Sequence, residues 1–147
     1  KRRRSKPAQR LSSIWMRVLV PLVGLYQRVG VPILYPLHDA AFGSMQVVTI
    51  ESGLQETLTE AADLEVMRLA FAKLGVYYPD KRQTPHFTFV FTADGKAYEI
   101  GLSYSHITIN GASYRLRADD YIRITVLYQF VQEGRAQWYL DRQAEEH

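Results

Sequence analysis

HFTFVFTADGKAYEIGL, residues 86–102, decides how this chain folds. Phe87, Phe89 and Phe91 alternate with Thr88, Val90 and Thr92, and Tyr98, Ile100 and Leu102 repeat the alternation on the way back. Asp94-Gly95 lies between them, and a period of two broken by Asp-Gly spells a β-hairpin with one apolar face. A second turn at Asn110-Gly111 joins residues 106–109 to 113–116, with Ile107 and Ile109 on one side. Two such turns in succession predict an antiparallel meander.

Upstream, residues 45–50 (MQVVTI) are β-branched and end at Ser52 and Gly53, which predicts a strand. A helix is expected next. Leu64, Met67, Phe71 and Leu74 make an apolar stripe, Glu60, Asp63 and Glu65 sit early, and Arg68 and Lys73 sit late, as the helix dipole prefers. Thr57 and Glu60 have capping-box spacing, and Gly75 is placed to end the helix. Downstream, residues 121–131 read as a strand: Ile122, Ile124, Val126, Tyr128 and Phe130 form one face, and only Leu127 breaks the alternation. Glu133-Gly134 then turns the chain into residues 136–140, whose Trp138 and Leu140 would close the sheet.

The expected fold is α+β, one helix packed on an antiparallel meander sheet in the order strand, helix, then roughly five or six strands. In outline this resembles the cystatin-like and NTF2-like architectures. The strand-helix-hairpin beginning and the Ile-x-Ile-Asn-Gly turn at residues 107–111 are also similar to short terminal domains of accessory proteins from Gram-positive bacteria, whose last segment is usually a helix.

Charge divides the chain. Residues 1–38 hold eight basic side chains (Lys1, Arg2, Arg3, Arg4, Lys6, Arg10, Arg17, Arg28) and no acidic one; residues 39–147 hold ten basic and fifteen acidic, so the two parts carry +8 and −5. A basic arm on an acidic body implies an anionic partner for the arm. Within the arm, Leu11, Ile14, Trp15, Val18, Leu22, Leu25, Tyr26 and Val29 recur at helical steps, Pro21 predicts a break near Val20, and Pro32 and Pro36 favour an extended path. Trp15 and Tyr26 would pack beside RNA or lipid headgroups while the cations neutralise phosphates. A membrane span over residues 18–38 is opposed by Arg28, at about 2.5 to 3.5 kcal/mol, and by the three prolines. If it did span, the cluster at residues 1–6 would stay in the cytoplasm and the body would lie outside. An organelle transit segment and a solvated tail with a helix folded on its own body are the other readings. Gly43-Ser44-Met45 reads either as a junction before a new start, which would make the arm a fused segment, or as a natural Gly-Ser linker. The division is therefore an arm at 1–44, an interaction domain at 45–143 and a tail at 144–147.

Chemistry is sparse. Without cysteine there is no thiolate zinc site, thiol catalysis or cysteine lipidation. His38, His86, His106 and His147 lack metal-ligand spacing, and the chain has no Gly-x-Ser-x-Gly elbow, glycine-rich phosphate loop, helix-turn-helix or zinc-finger pattern. His86 and His106 begin strands that would bring them toward Asp119 or Asp120, a conceivable acid-base cluster beside the blander reading of polar strand ends. Tyr77, Tyr78 and Trp138 have the composition of a protein contact surface, and Tyr77-Tyr78-Pro79 would line a groove after the helix. The reading is a non-enzymatic interaction or scaffold module without catalytic residue, metal or cofactor. Its partners would be proteins of a ribonucleoprotein or membrane-associated complex, with RNA or an anionic membrane reached through residues 1–28. The alternatives are a membrane-tethered extracytoplasmic accessory or sensor domain and a small NTF2-like enzyme or ligand binder. An intracellular or membrane-associated location is favoured.

Overall fold

A computed structural model describes residues 33–34, 37 and 40–146. Seven strands and a two-residue edge strand form one antiparallel sheet, and three helices complete an α+β domain. The strands are β1 (Ile33–Leu34), β2 (Phe42–Thr49), β3 (Leu54–Leu58), β4 (Gly75–Pro79), β5 (Phe87–Ala93), β6 (Lys96–Leu102), β7 (His106–Ile109) and β8 (Ala112–Leu116). The helices are α1 (Ala61–Ala72), α2 (Ala118–Gln132) and α3 (Ala136–Glu146). In space the strands run β1-β4-β8-β7-β6-β5-β2-β3.

Both expected hairpins are present. Asp94 and Gly95 have φ of 53° and 80°, and Asn110 and Gly111 have 50° and 91°. Two successive positive φ values match the right-handed twist of the flanking strands, which is why Asp-Gly and Asn-Gly occur there. Asn110 also accepts from the Glu99 amide through Oδ1 at 2.8 Å, tying the second turn to β6. The pairs Phe89↔Ile100, Phe91↔Tyr98, Met45↔Phe91 and Ile100↔Ile109 stack their side chains on one face. The helices cover that face, with Val66, Met67, Ala70 and Phe71 of α1 and Ile124, Leu127, Tyr128 and Val131 of α2 buried there. Phe71 meets Phe89 edge-on at 5.4 Å and Phe91 at 5.7 Å, and Tyr128 meets Phe89 edge-on at 5.9 Å. Such ring pairs add roughly 0.5 to 1.5 kcal/mol each beyond area burial.

The opposite face is partly roofed by the chain itself. Because β4 pairs with β8 while β5 lies beyond β6, residues 80–86 must cross β8, β7 and β6 on the outward side. Asp80 N donates to Ser113 O at 3.1 Å, Ser113 Oγ to Lys81 O at 3.1 Å, and His106 Nε2 lies 2.9 Å from Asp80 Oδ2. Pro85 comes so close to β6 that a Cβ on Gly101 would stand 3.2 Å from Pro85 Cβ. The strap thus explains why His106 is buried on what is otherwise the solvent face.

Several expectations are corrected. Residues 121–131 belong to α2, and residues 136–140 to α3, so there are three described helices instead of one. Ile124, Leu127, Tyr128 and Val131 are buried at helical spacing, whereas Ile122 and Val126, assigned to a β core by alternation, are 56% and 44% exposed. β-branched content is a weak preference that packing overrides. Thr125 Oγ1 donates back to Tyr121 O at 2.9 Å, which satisfies its hydroxyl inside the helix. Thr57 is not a helix cap: it lies in β3 opposite Gln46, and Glu60, the N-cap of α1, makes no side-chain cap bond. Gly75 begins β4 instead of ending the helix, which stops at Ala72. β2 starts at Phe42, three residues before the boundary read at 44/45, and Phe42 stacks on Phe91 at 4.7 Å.

Candidate functional site

The expected contact residues separate into two groups. Tyr77 and Tyr78 lie on β4, Tyr78 exposed and Tyr77 half-buried, while Trp138 lies on α3 and is 43% exposed. No ring contact joins the tyrosines to Trp138 among the described residues. Lys1, Arg2, Arg3, Arg4, Lys6, Arg10, Trp15, Arg17, Tyr26 and Arg28, the whole basic arm, lie outside the described residues.

Trp138 is the centre of a larger surface. Phe130 stacks on it at 5.7 Å, the Arg135 guanidinium lies 4.3 Å from its ring centroid and that of Arg142 5.0 Å. Arg135 also lies 5.2 Å from the Phe130 ring. Gly134, at φ 72°, folds α3 back against the end of α2 and so creates this stack. Ile122, Val126 and Phe130 follow one another at four-residue steps, a single stripe of α2 that ends in the stack. Two depressions flank Phe130, one of about 600 Å³ beside Trp138 and Arg142, the other of about 240 Å³ beside Val126 and Arg135. The exposed pairs Arg135–Glu133 (3.6 Å) and Arg142–Glu145 (3.9 Å) are long and exchangeable.

The histidines do not form one cluster with Asp119. His106 is held by Asp80 and by Ser105 Oγ at 2.8 Å, a buried fastening of the strap. The Lys81 amide, then His106, hold the Asp80 carboxyl below the usual carboxylate range. Asp119 is exposed in the first turn of α2, and its neighbour Asp120 is fully buried. Asp120 takes Arg123 at 2.7 Å and Arg117 at 3.5 Å, and accepts from the Gly75 amide at 3.4 Å, while Arg123 Nε donates to Ala70 O at 3.0 Å. That network fastens the start of α2 to the end of α1 and is structural. Tyr128 donates to Glu56, and burial first, then that carboxylate, pushes its phenol well above the ordinary range. Among the described residues no three His, Asp or Glu side chains are grouped to hold a metal, and no helix is long and apolar enough to cross a membrane.

His86 has a different setting, which sequence reading missed because its parts come from four segments. Ile50 N donates to His86 O at 2.9 Å, His86 N to Leu102 O at 2.7 Å, and His86 Nδ1 lies 3.2 Å from the Tyr121 hydroxyl. The Tyr104 ring meets His86 edge-on at 4.4 Å and Tyr121 at 4.9 Å. His86, Tyr104 and Tyr121, with Thr49, Glu51 and Phe87, line a cleft of about 360 Å³ at one end of the sheet. Burial, then Tyr104, raises the Tyr121 phenol, so it stays protonated. The sequence reading singled out His86 but set it toward Asp119 or Asp120, not beside the two tyrosines.

Compared with protein-family models, with curated proteins and with solved structures, the chain gave no match in any of the three.

Proposed function

We propose that this chain is a non-enzymatic interaction module whose α2–α3 surface docks a protein partner, while the basic residues from Lys1 to Arg28 engage an anionic component of the same assembly. The observation that carries the reading is the Ile122-Val126-Phe130 stripe running into Trp138 with Arg135 and Arg142 stacked about it. Stacked arginine and tryptophan are the residue types that dominate binding energy at interfaces, and an exposed apolar stripe beside them supplies dry contact area. The matching partner segment is apolar with at least one carboxylate, which would displace the weak Glu133 and Glu145 pairs. An assembly of ribonucleoprotein or membrane-associated type supplies the anionic surface for the arm. Support for that half is the +8 charge of residues 1–38.

The test is a quantitative capture comparing the full chain with Ile122→Asp and Trp138→Ala. A stoichiometric partner that both variants lose, and that Tyr78→Ala retains, supports the reading. Unchanged capture by both variants, or their loss of self-association alone, overturns it. The ligand-binder reading, with its NTF2-like outline, is favoured by one observation, the cleft at His86.

A further inference from the structure

The cleft beside His86 has a chemistry that protein docking through α2 and α3 does not use. Its walls come from the end of β2, the residues before β5, the turn between β6 and β7 and the first turn of α2. Every one of these backbones is pinned. Ile50 is bonded to His86, His86 to Leu102, Ser103 N to His106 O at 2.9 Å, and Leu116 N to Ser105 O at 2.9 Å. The rings are therefore preorganised.

Three features define what would enter. First, Glu51 is the one carboxylate on the lining and no lysine or arginine is there. Arg117, four residues before Tyr121, is directed to Asp120 instead. An anion would meet a carboxylate and the negative faces of aromatic rings with no lysine or arginine to neutralise it. Second, Tyr104 is 68% exposed, more than any other large apolar or aromatic side chain among the described residues. It is held in place by ring contacts to His86 and Tyr121 without being covered, so its π-surface is open to a ligand. Third, Thr49 Oγ1 at the wall of the cleft is buried with no hydrogen-bond partner.

We propose that this cleft binds an organic ammonium ion, a methylated or quaternary nitrogen held against Tyr104 and Tyr121 with Glu51 as its counter-charge. Ring quadrupoles attract such cations, and a methylated ammonium loses less hydration on leaving water than a primary one. The volume is in the range of small-ligand sites. The shared chemistry has two sources, a free alkylammonium compound of the choline type and the methylated lysine of a protein.

The experiment is calorimetric titration of the full chain with choline, with its neutral isostere 3,3-dimethylbutanol and with N-acetyl-trimethyllysine amide. Choline is expected to bind about five- to tenfold more tightly than the isostere. Tyr104→Ala and Glu51→Gln should each weaken choline by about three- to tenfold without moving the melting temperature, and Tyr104→Phe should leave it within twofold. A trimethyllysine amide that exceeds choline assigns the site to a protein side chain, and the reverse assigns it to a free compound; either supports the ammonium site. Equal binding of choline and the isostere, choline binding untouched by Tyr104→Ala and Glu51→Gln, or no binding of any of the cations would overturn it.

Discussion

Two aromatic clusters among the described residues reach solvent through Trp138 and Tyr104, and they are dressed with opposite charge. At the α2–α3 junction Phe130 and Trp138 are stacked with Arg135 and Arg142. At the sheet end Tyr104, Tyr121 and His86 are packed on one another beside Glu51, with no arginine or lysine on the lining. In the first, the faces of the rings are already occupied by cations, so what remains to be recognised is a carboxylate and apolar area. In the second no cation lies on the rings, Tyr104 is largely exposed, and the charged side chain on the lining is negative. Similar aromatic content therefore gives two surfaces of opposite charge, and α2 contributes to both through Tyr121 at one end and Phe130 at the other.

The two surfaces can be broken together or apart. The largest effect is expected from deleting residues 1–44, which removes the fully buried Leu37, Phe42 on Phe91 and the first three residues of β2. Each lost core side chain costs about 2 to 5 kcal/mol, so the fragment 45–147 should melt far below 33–147 and lose both surfaces. Circular dichroism melts of the two fragments decide the matter; equal stability would place the strand's beginning outside the cooperative unit. Next comes Asp120→Ala, which strands Arg123 and Arg117 and frees the start of α2. A loss of about 3 kcal/mol by denaturant titration is expected, again weakening both surfaces.

Smaller effects separate them. Trp138→Ala should weaken a protein partner by about 2 kcal/mol while costing about 0.5 to 1.5 kcal/mol of stability, and leave choline titration untouched. Tyr104→Ala should do the reverse: normal partner capture and melting, weakened cation binding. A variant that damages both would show that the surfaces are coupled through α2. The smallest effect belongs to the strap. The Asp80 carboxyl is held below its usual pKa when folded, so its contribution is present above the unfolded carboxylate pKa and fades as pH falls through the depressed folded value. Asp80→Asn should therefore cost stability at neutral pH and nothing in acid below that range; a difference that persists in acid would assign the loss to the amide's geometry instead of the charge.

How much of this was legible differs along the chain for physical reasons. Asp94-Gly95 and Asn110-Gly111 announce their turns because positive φ at both central positions restricts which residues can stand there. Residues 121–131 carry two periods at once. Ile122, Ile124, Val126, Tyr128 and Phe130 alternate, yet Ile124, Leu127, Tyr128 and Val131 also satisfy helical spacing. Leu127, the exception to the alternation, is buried, and it was the residue that distinguished the two. Trp138 was read as a contact residue from its residue type alone, since Tyr139 and Leu140 beside it are apolar or aromatic too. The Arg135 and Phe130 that stack on it needed the helix assignment first. The cleft was illegible because only the pairing of β2 with β5 and the seating of α2 bring Thr49, His86, Tyr104 and Tyr121 to one place.

The crossing of residues 80–86 over the sheet also leads us to expect an order of events in time. β5 to β8 are joined by short turns and pair with sequence neighbours, so they can assemble early at small loop-closure cost. The strap rests on the outward side of β6, β7 and β8, and cannot settle until those strands exist. β4 is thus the late arrival, latched by Asp80 to His106 and by Gly75 to Asp120. In native-state hydrogen exchange, amides of β4 and the strap should open by partial unfolding while those between β5 and β6 exchange only when the whole domain unfolds.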